Sequence, residues 1–516
     1  MGPGPIVATV IRTGTPEKPD ADLRGAARHS VANLIGVGFA AAAAFALNIV
    51  VARGWSARDV GLFFVGTSAF LIADAAARLG SAASSVYFVS RYRALGQPER
   101  IRASLLAGGI PVAAVSTALG VAGWVAAPWL ADRLLADPLP AAVPMLRTLA
   151  LFLPIVALGE MALAACRGFG RMRPLLLVER LGRTGGQFLG VTFAAVLGLS
   201  VATGLPLAWA LPYLPATVVA LVWLAVLLRR AERTTLTPVP VRAEFGTYWR
   251  FAGPRALSGL AQVAVQRVGI VLLGALRSLA EAAVYAVASR FLIVGQLAGQ
   301  ALAVAVQHRF AAHLARDERD AAGRLYQAAT GWLVLLSWPA YLLFALFAEP
   351  MLRLFGAGFV SGRGVTVILA LTMLVATACG MVDTVLNMAG KTAWTFYNAL
   401  AACAINIVGY LLLIPPFGMI GAAASWSAAI VISNVVPLTQ LYIAFRLHPF
   451  GRGTVVAAAL AVGCFGVPAL VAREAFGAGM AVAAGTAAVG ALVYLAAAWR
   501  FRGVLQLDAL RRSRRG

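Results

Sequence analysis

The sequence predicts an all-α polytopic membrane protein of about fourteen transmembrane helices, built as two six-helix halves followed by two extra C-terminal helices. Three observations predict it. Of 516 residues, 61% are apolar and only 12% charged, with a mean hydropathy of +0.84, against roughly 25% charged in an ordinary soluble protein. The apolar residues fall in repeated runs of about 20, the length that crosses a hydrocarbon core roughly 30 Å thick. A stretch at the start of the second run returns 222 residues later, and a repeat of that period implies two equivalent halves.

The elements follow in order. Residues 1–29 are polar, contain Pro and Gly, and lack an apolar segment ending in a small-residue cleavage site, so they read as a solvated cytoplasmic tail. The first half, 30–228, holds the runs 30–52, 60–83, 103–127, 145–166, 174–197 and 205–228, each bounded by charged residues or by Pro and Gly. A basic linker, 229–248, leads to the second half, 249–445, with runs 249–275, 281–306, 328–348, 364–388, 393–414 and 419–445. Runs 453–472 and 479–499 stand outside the repeat, and 500–516 forms a basic cytoplasmic tail. No connection is long enough for a catalytic domain, which argues against an enzyme.

The formal net charge of +23 would suit a nucleic-acid binder, but its placement explains it otherwise. With the N-terminus inside, 29 Lys and Arg fall on the inner side and 8 on the outer. That asymmetry puts both termini in the cytoplasm and accounts for the basicity without nucleic acid. Cys166, Cys379, Cys403 and Cys464 lie in or at the ends of apolar runs, with no CxxC pair or histidine cluster, so neither a disulfide framework nor a metal site is expected. Ala389-Gly390-Lys391-Thr392 resembles the tail of a phosphate-binding loop, yet Val385 stands where that loop needs glycine. No cofactor is expected.

Within the repeat, Trp55-Ser56-Ala57-Arg58-Asp59-Val60-Gly61-Leu62-Phe63 returns as Arg277-Ser278-Leu279-Ala280-Glu281-Ala282-Ala283-Val284-Tyr285. Both are short turns carrying an acid and then an aromatic at the start of the second helix of a half. Gly170-Arg171-Met172 and Gly390-Lys391-Thr392 echo one another at a spacing of 220, each at the inner end of a fourth helix. Two halves in the same orientation follow, related by an axis along the membrane normal.

The first-half turn Ser56-Ala57-Arg58-Asp59-Val60-Gly61-Leu62-Phe63, together with Leu79-Gly80 through Arg91-Tyr92-Arg93 and the exit Cys166-Arg167-Gly168-Phe169-Gly170-Arg171-Met172-Arg173-Pro174, resembles a known family. It is the MATE-like multidrug/oligosaccharidyl-lipid/polysaccharide (MOP) flippase superfamily, in its polysaccharide, Wzx-like oligosaccharide flippase branch. The resemblance implies two bundles in a V around a cavity that opens alternately to each side. It also implies an undecaprenyl-diphosphate-linked oligosaccharide as cargo, flipped outward across a bacterial inner (plasma) membrane. The bilayer, a polysaccharide polymerase and glycosyltransferases are the implied partners.

Ionisable residues within apolar runs are expensive and therefore functional candidates. Counting about 1.5 Å per residue places Asp74, Glu160 and Arg290 near mid-membrane and Arg267 about two-thirds of the way outward. Arg78, Arg255, Glu179, Arg180, Arg183 and Asp383 sit nearer the inner face. A diphosphate leaving the headgroup region must exchange water for charge-assisted hydrogen bonds, and arginine's planar, permanently charged fork suits it. Arg78, Arg255, Arg267 and Arg290 are accordingly the expected substrate-binding residues. Asp74, Glu160 and Asp383 are candidates for ion coupling, because a carboxyl group removed from water can exchange a proton as its surroundings alternate. The competing reading is internal pairing, since Asp74 and Arg78 are i,i+4, as are Glu179 and Arg183.

A proton- or sodium-coupled multidrug exporter of the same superfamily is the alternative function, disfavoured because drug cations want an acidic cavity. A sugar-transferring membrane enzyme would need a large outer loop. The longest outer connection, 128–144, carries only Asp132, Arg133 and Asp137 as acids and bases.

Overall fold

The structure, a computed structural model, describes residues 19–137, 139–232 and 239–507. Of the expected tails, 1–29 and 500–516, residues 1–18 and 508–516 lie outside the described residues, as do 233–238 of the expected linker 229–248; residues 19–29 are helical, as the start of one long first helix. All regular elements among those described are helical.

The two halves repeat one pattern. The first comprises α1 (Pro19–Gly54), α2 (Ala57–Ala77), α3 (Ser81–Ala94), α4 (Glu99–Val125), a short α5 (Ala127–Leu134), α6 (Ala142–Gly168), a π-helix at Leu175–Arg183 running into α7 (Thr184–Val196), α8 (Gly204–Ala210) and α9 (Tyr213–Glu232). The second comprises α10 (Val241–Leu276), α11 (Leu279–Ala288), a 3-10 turn at Ser289–Leu292, α12 (Ile293–Ala315), α13 (Arg319–Leu346), a short α14 (Ala348–Arg353), α15 (Arg363–Ala378), α16 (Val382–Met388) and α17 (Thr392–Phe445). Last come α18 (Arg452–Ala461), a π-turn at Val462–Gly466, α19 (Val467–Phe476) and α20 (Met480–Arg500).

The repeated sequence fragments fold alike, for local reasons. Ser56 and Ser278 are both extended N-caps whose hydroxyls accept from the backbone N–H three residues on, at Asp59 (3.3 Å) and Glu281 (3.2 Å). Gly170 and Gly390 adopt φ of +74° and +76°. Each glycine lets the following N–H turn back onto its helix, Arg171 to the Cys166 carbonyl and Lys391 to the Leu386 carbonyl, closing the same C-terminal turn.

Twelve stretches among the described residues are long and apolar enough to cross a membrane, against about fourteen expected from the sequence. The difference lies in two places. Leu175–Val196 carries Glu179, Arg180 and Arg183 and is wound first as π-helix. Ala393–Phe445 counts as one stretch, although a straight helix of 54 residues would span about 81 Å. It reverses at Gly418 (φ 54°, ψ −132°). Asn398 and Gln440 on its two arms exchange amide hydrogen bonds of 2.7 and 3.1 Å. Glu281 holds the bend by accepting from the Met419 N–H at 3.0 Å, while Arg277 donates to the Pro415 carbonyl at 3.3 Å.

The halves meet closely at the cation-poor face, read from the sequence as the outer one. Gly61 on α2 lies against the Leu279 carbonyl and Val65 against Gly274. Ala136 N–H donates to the Gly274 carbonyl (2.8 Å) and Arg53 Nε to the Leu354 carbonyl (2.7 Å). Phe45 packs edge-on against Phe291 and Phe355, with ring centroids 5.9 and 5.5 Å away.

At the cation-rich face the first half instead grips the start of α10. Glu244, wholly buried, accepts from Tyr92 Oη and pairs with Arg100 at 2.8 Å. Trp249 donates to the Ala107 carbonyl (3.1 Å), Tyr248 packs on Gly108, and Phe251 stacks on Tyr87 with centroids 4.1 Å apart. The end of α10 packs on both halves, with Gly269 against Tyr410 of its own half and Gly274 against Val65 of the first. Between these anchorages the helix is largely exposed from Gly253 to Gly259.

Candidate functional site

Under the aromatic seam, where α1, α2, α7 and α8 face α10 and the 3-10 turn, lies a partly open cavity of about 140 Å³. The first half contributes Asn48, Phe63, Phe64, Thr67, Thr184, Gln187 and Trp209, and the second contributes Arg267 and Arg290. The 3-10 turn at Ser289–Leu292 sets Arg290 here by interrupting the helix that α11 begins.

Donors in this lining are unevenly available. Thr67 donates to the Phe63 carbonyl at 2.7 Å, and Asn48 Nδ2 to the Ala44 carbonyl at 2.5 Å. The Gln187 amide donates to the Trp209 carbonyl at 3.0 Å, while its oxygen accepts from Arg183 at 2.9 Å. The two arginines are different. Arg290 Nε is buried without a hydrogen-bond partner, and its guanidinium lies 5.3 Å from the Phe64 ring centroid. No carboxylate among the described residues forms an ion pair with Arg267 or Arg290. The cavity thus offers two uncompensated cations and little free donor capacity besides, a chemistry suited to an anion.

A second polar cluster fills the inner part of the first half. Asp74, 2% exposed, pairs with Arg78 Nε at 3.1 Å, and its Oδ1 is buried without a partner. Glu179 pairs with Arg183, whose guanidinium also lies 4.9 Å from the Tyr213 ring centroid. Glu160 is within electrostatic reach of Asp74, Glu179, Arg78 and Arg183. Asp74, Glu160 and Glu179 therefore gather around Arg78 and Arg183, with Arg180 also within electrostatic reach of Glu179, and Gln187 joins this cluster to the cavity through Arg183. Their i,i+4 spacing on the Leu175–Arg183 helix keeps Glu179 and Arg183 on one face. Replacing Arg183 by methionine leaves these acids facing one another, and breaking a buried pair costs about 3–5 kcal/mol. A large drop in thermal stability is expected, partly restored by adding Glu179→Gln. An unchanged melting temperature in the single variant would refute the cluster as drawn.

The structure thus brings together some of the expected residues and separates others. Arg267 and Arg290 share the cavity; Arg78 sits in the acid cluster with Asp74 and Glu160. Arg255 is exposed, with its guanidinium 3.6 Å from the Phe251 ring centroid and a hydrogen bond to the Phe251 carbonyl, and it does not line the cavity. Asp383 stands apart in the second half, exposed on the first turn of α16 near Tyr326. Asn48, Thr67, Gln187 and Trp209 carried no sequence signal, because a neutral side chain in an apolar run does not stand out. Gln187 alone left a trace, four residues from Arg183.

Comparison with known proteins agrees with this architecture. Residues 112–359 match the family described as "Polysaccharide biosynthesis protein". The lipid II flippase MurJ, in an inward closed conformation, has a similar structure, with a TM-score of 0.70 at 12% identity over 91% of this chain and 99% of that one. A multidrug resistance MATE family transporter of the MOP superfamily, inward-facing, gives 0.65 at 15% identity over 78% and 94%. A MOP superfamily transporter from Pyrococcus furiosus, for which a reversed polarity of the binding pocket suggests a different function, gives 0.53 at 16% identity over 83% and 94%. No curated protein sequence matches. The chain is a multi-pass membrane protein with the MOP transporter fold, and the resemblance read from its sequence holds.

Proposed function

On the premise of that fold and family match, we propose that the protein flips an undecaprenyl-diphosphate-linked oligosaccharide from the inner to the outer leaflet of a bacterial plasma membrane, by alternating access, for polysaccharide biosynthesis. The observation that carries the reading is the cavity at the seam, with two cations and no acid. A diphosphate drawn into it would gain the charge-assisted bonds that Arg267 and Arg290 lack, and the sugar would follow as the seam opens. With the seam closed at the outer face, the route to the cavity runs from the cytoplasmic side, between the halves, past the exposed stretch of α10 and Arg255. The isoprenoid tail stays in the bilayer. Both termini are cytoplasmic on this reading, no cofactor takes part, and the chain acts as a transporter with a polymerase and glycosyltransferases as functional partners. The acid-rich cluster around Asp74 and Glu160 lends weight to a second reading, an ion-coupled exporter of cationic drugs.

Proteoliposomes separate the two. Under the first reading they move a fluorescent undecaprenyl-diphosphate sugar between leaflets and ignore cationic dyes. Dye uptake driven by a proton or sodium gradient, with no movement of the lipid-linked sugar, would overturn it.

A further inference from the structure

A second concavity opens on the first half between α4, α6 and α9, with a volume of about 390 Å³ and no lining residue shared with the central cavity. Its walls are apolar, with Leu105, Leu106 and Gly109 from α4, Met161 from α6, and Leu221 and Leu228 from α9. Leu106 is 40% and Leu221 41% exposed, so the wall is not covered by protein. Gly109 opens the floor, since a Cβ there would lie 3.6 Å from the Met161 methyl group.

Depth and charge indicate what covers it. From Leu221 to Glu232 the groove follows α9 for about 16 Å, roughly half of a 30 Å hydrocarbon core and thus one leaflet. Its mouth, at the cation-rich face, carries Arg102, Arg229 and Glu232, one positive charge in excess. Arg102 meets Glu232 at 3.5 Å with side chains 65% and 29% exposed. Such a pair contributes little and yields readily to a phosphate.

We propose that this groove holds an acyl chain of an anionic glycerophospholipid of the inner leaflet, its phosphate on Arg102 and Arg229, as a resident lipid rather than cargo. An apolar trench one leaflet deep accepts a chain, and the paired cations select an anionic headgroup. The proposal does not depend on what the central cavity carries.

The test is native mass spectrometry of the full-length protein in detergent, titrated with phosphatidylglycerol, phosphatidylcholine or undecaprenyl phosphate. Phosphatidylglycerol is expected to bind at least tenfold tighter than phosphatidylcholine. Arg102→Gln with Arg229→Gln removes that preference, Gly109→Leu removes binding of both phospholipids, and Arg230→Gln, beside the mouth but outside the lining, changes nothing. Circular dichroism confirms that each variant is folded. Equal affinity for the two phospholipids, an equal effect of Arg230→Gln, or selective retention of undecaprenyl phosphate would each overturn the proposal. The last would make the groove a cargo site.

Discussion

Arg290→Met is expected to cut the proposed flipping sharply and at the same time to stabilise the fold. Arg290 is held where its Nε has no hydrogen-bond partner and no acid neutralises it, so the resting protein bears the cost of a desolvated cation. An apolar side chain of similar length removes that cost, and a gain of about 1–2 kcal/mol, read as a higher melting temperature, is expected. The cargo loses charge-assisted hydrogen bonds worth about 1.5–3 kcal/mol each, so transport falls about 100-fold or more. Arg290→Lys keeps the charge but not the fork and falls between the two. The pairing of effects is the signature, because a variant that is merely misfolded loses both. Undiminished transport by Arg290→Met in proteoliposomes would remove the cavity from the mechanism.

Gly61→Leu prevents the seam from closing. A Cβ at Gly61 would lie 1.9 Å from the Leu279 carbonyl oxygen, a backbone atom that cannot swing aside. The helices α2 and α11 must then separate, and the closed state loses the packing that seals the cation-poor face. Overpacking of this kind typically costs 1–3 kcal/mol, and here the cost falls on one state of the cycle. Transport is expected to drop at least tenfold. A cysteine at Phe355, wholly buried in the closed seam, becomes reactive to a membrane-impermeant maleimide in the Gly61→Leu background only. Gly246→Leu, with open space around it, serves as the control. Normal transport with a protected cysteine would show that the seam tolerates the side chain.

Much of this architecture was legible in the sequence because the bilayer imposes it. Run lengths, cation asymmetry and the recurring serine-capped turns each follow from one physical constraint, and the structure returns Ser56 and Ser278, Gly170 and Gly390 in matching conformations. The depth of a charge was legible too, from the rise per residue. So were two of the pairings, Asp74 with Arg78 and Glu179 with Arg183, which form as their i,i+4 spacing implies; the surroundings of an unpaired cation were not. Arg255 and Arg267 lie on one helix and look equivalent as arginines in an apolar run, yet one is exposed on Phe251 and the other lines the cavity. Lipid is as apolar as the protein interior, so hydrophobic periodicity does not say which side of a span faces another helix. The reversal at Gly418 was placed by its neighbouring prolines, whereas the π-winding at Leu175–Arg183 has no local sequence signature.

The helix α10 has a consequence for how such a chain arose. By sequence the second half begins at Trp249, yet Trp249 bonds to the Ala107 carbonyl and Phe251 stacks on Tyr87 of the first half, continuing the contacts that Glu244 and Tyr248 of the preceding linker make there. The unit that was duplicated and the unit that packs as one body therefore have different borders. A lone ancestral repeat would have carried an empty socket between α3 and α4 and a helix end with nowhere to dock. Two copies could satisfy both needs by exchange, as domain-swapped dimers do. In the present chain the start of α10 fills that socket, so the two halves are tied together at the point where the repeats are joined.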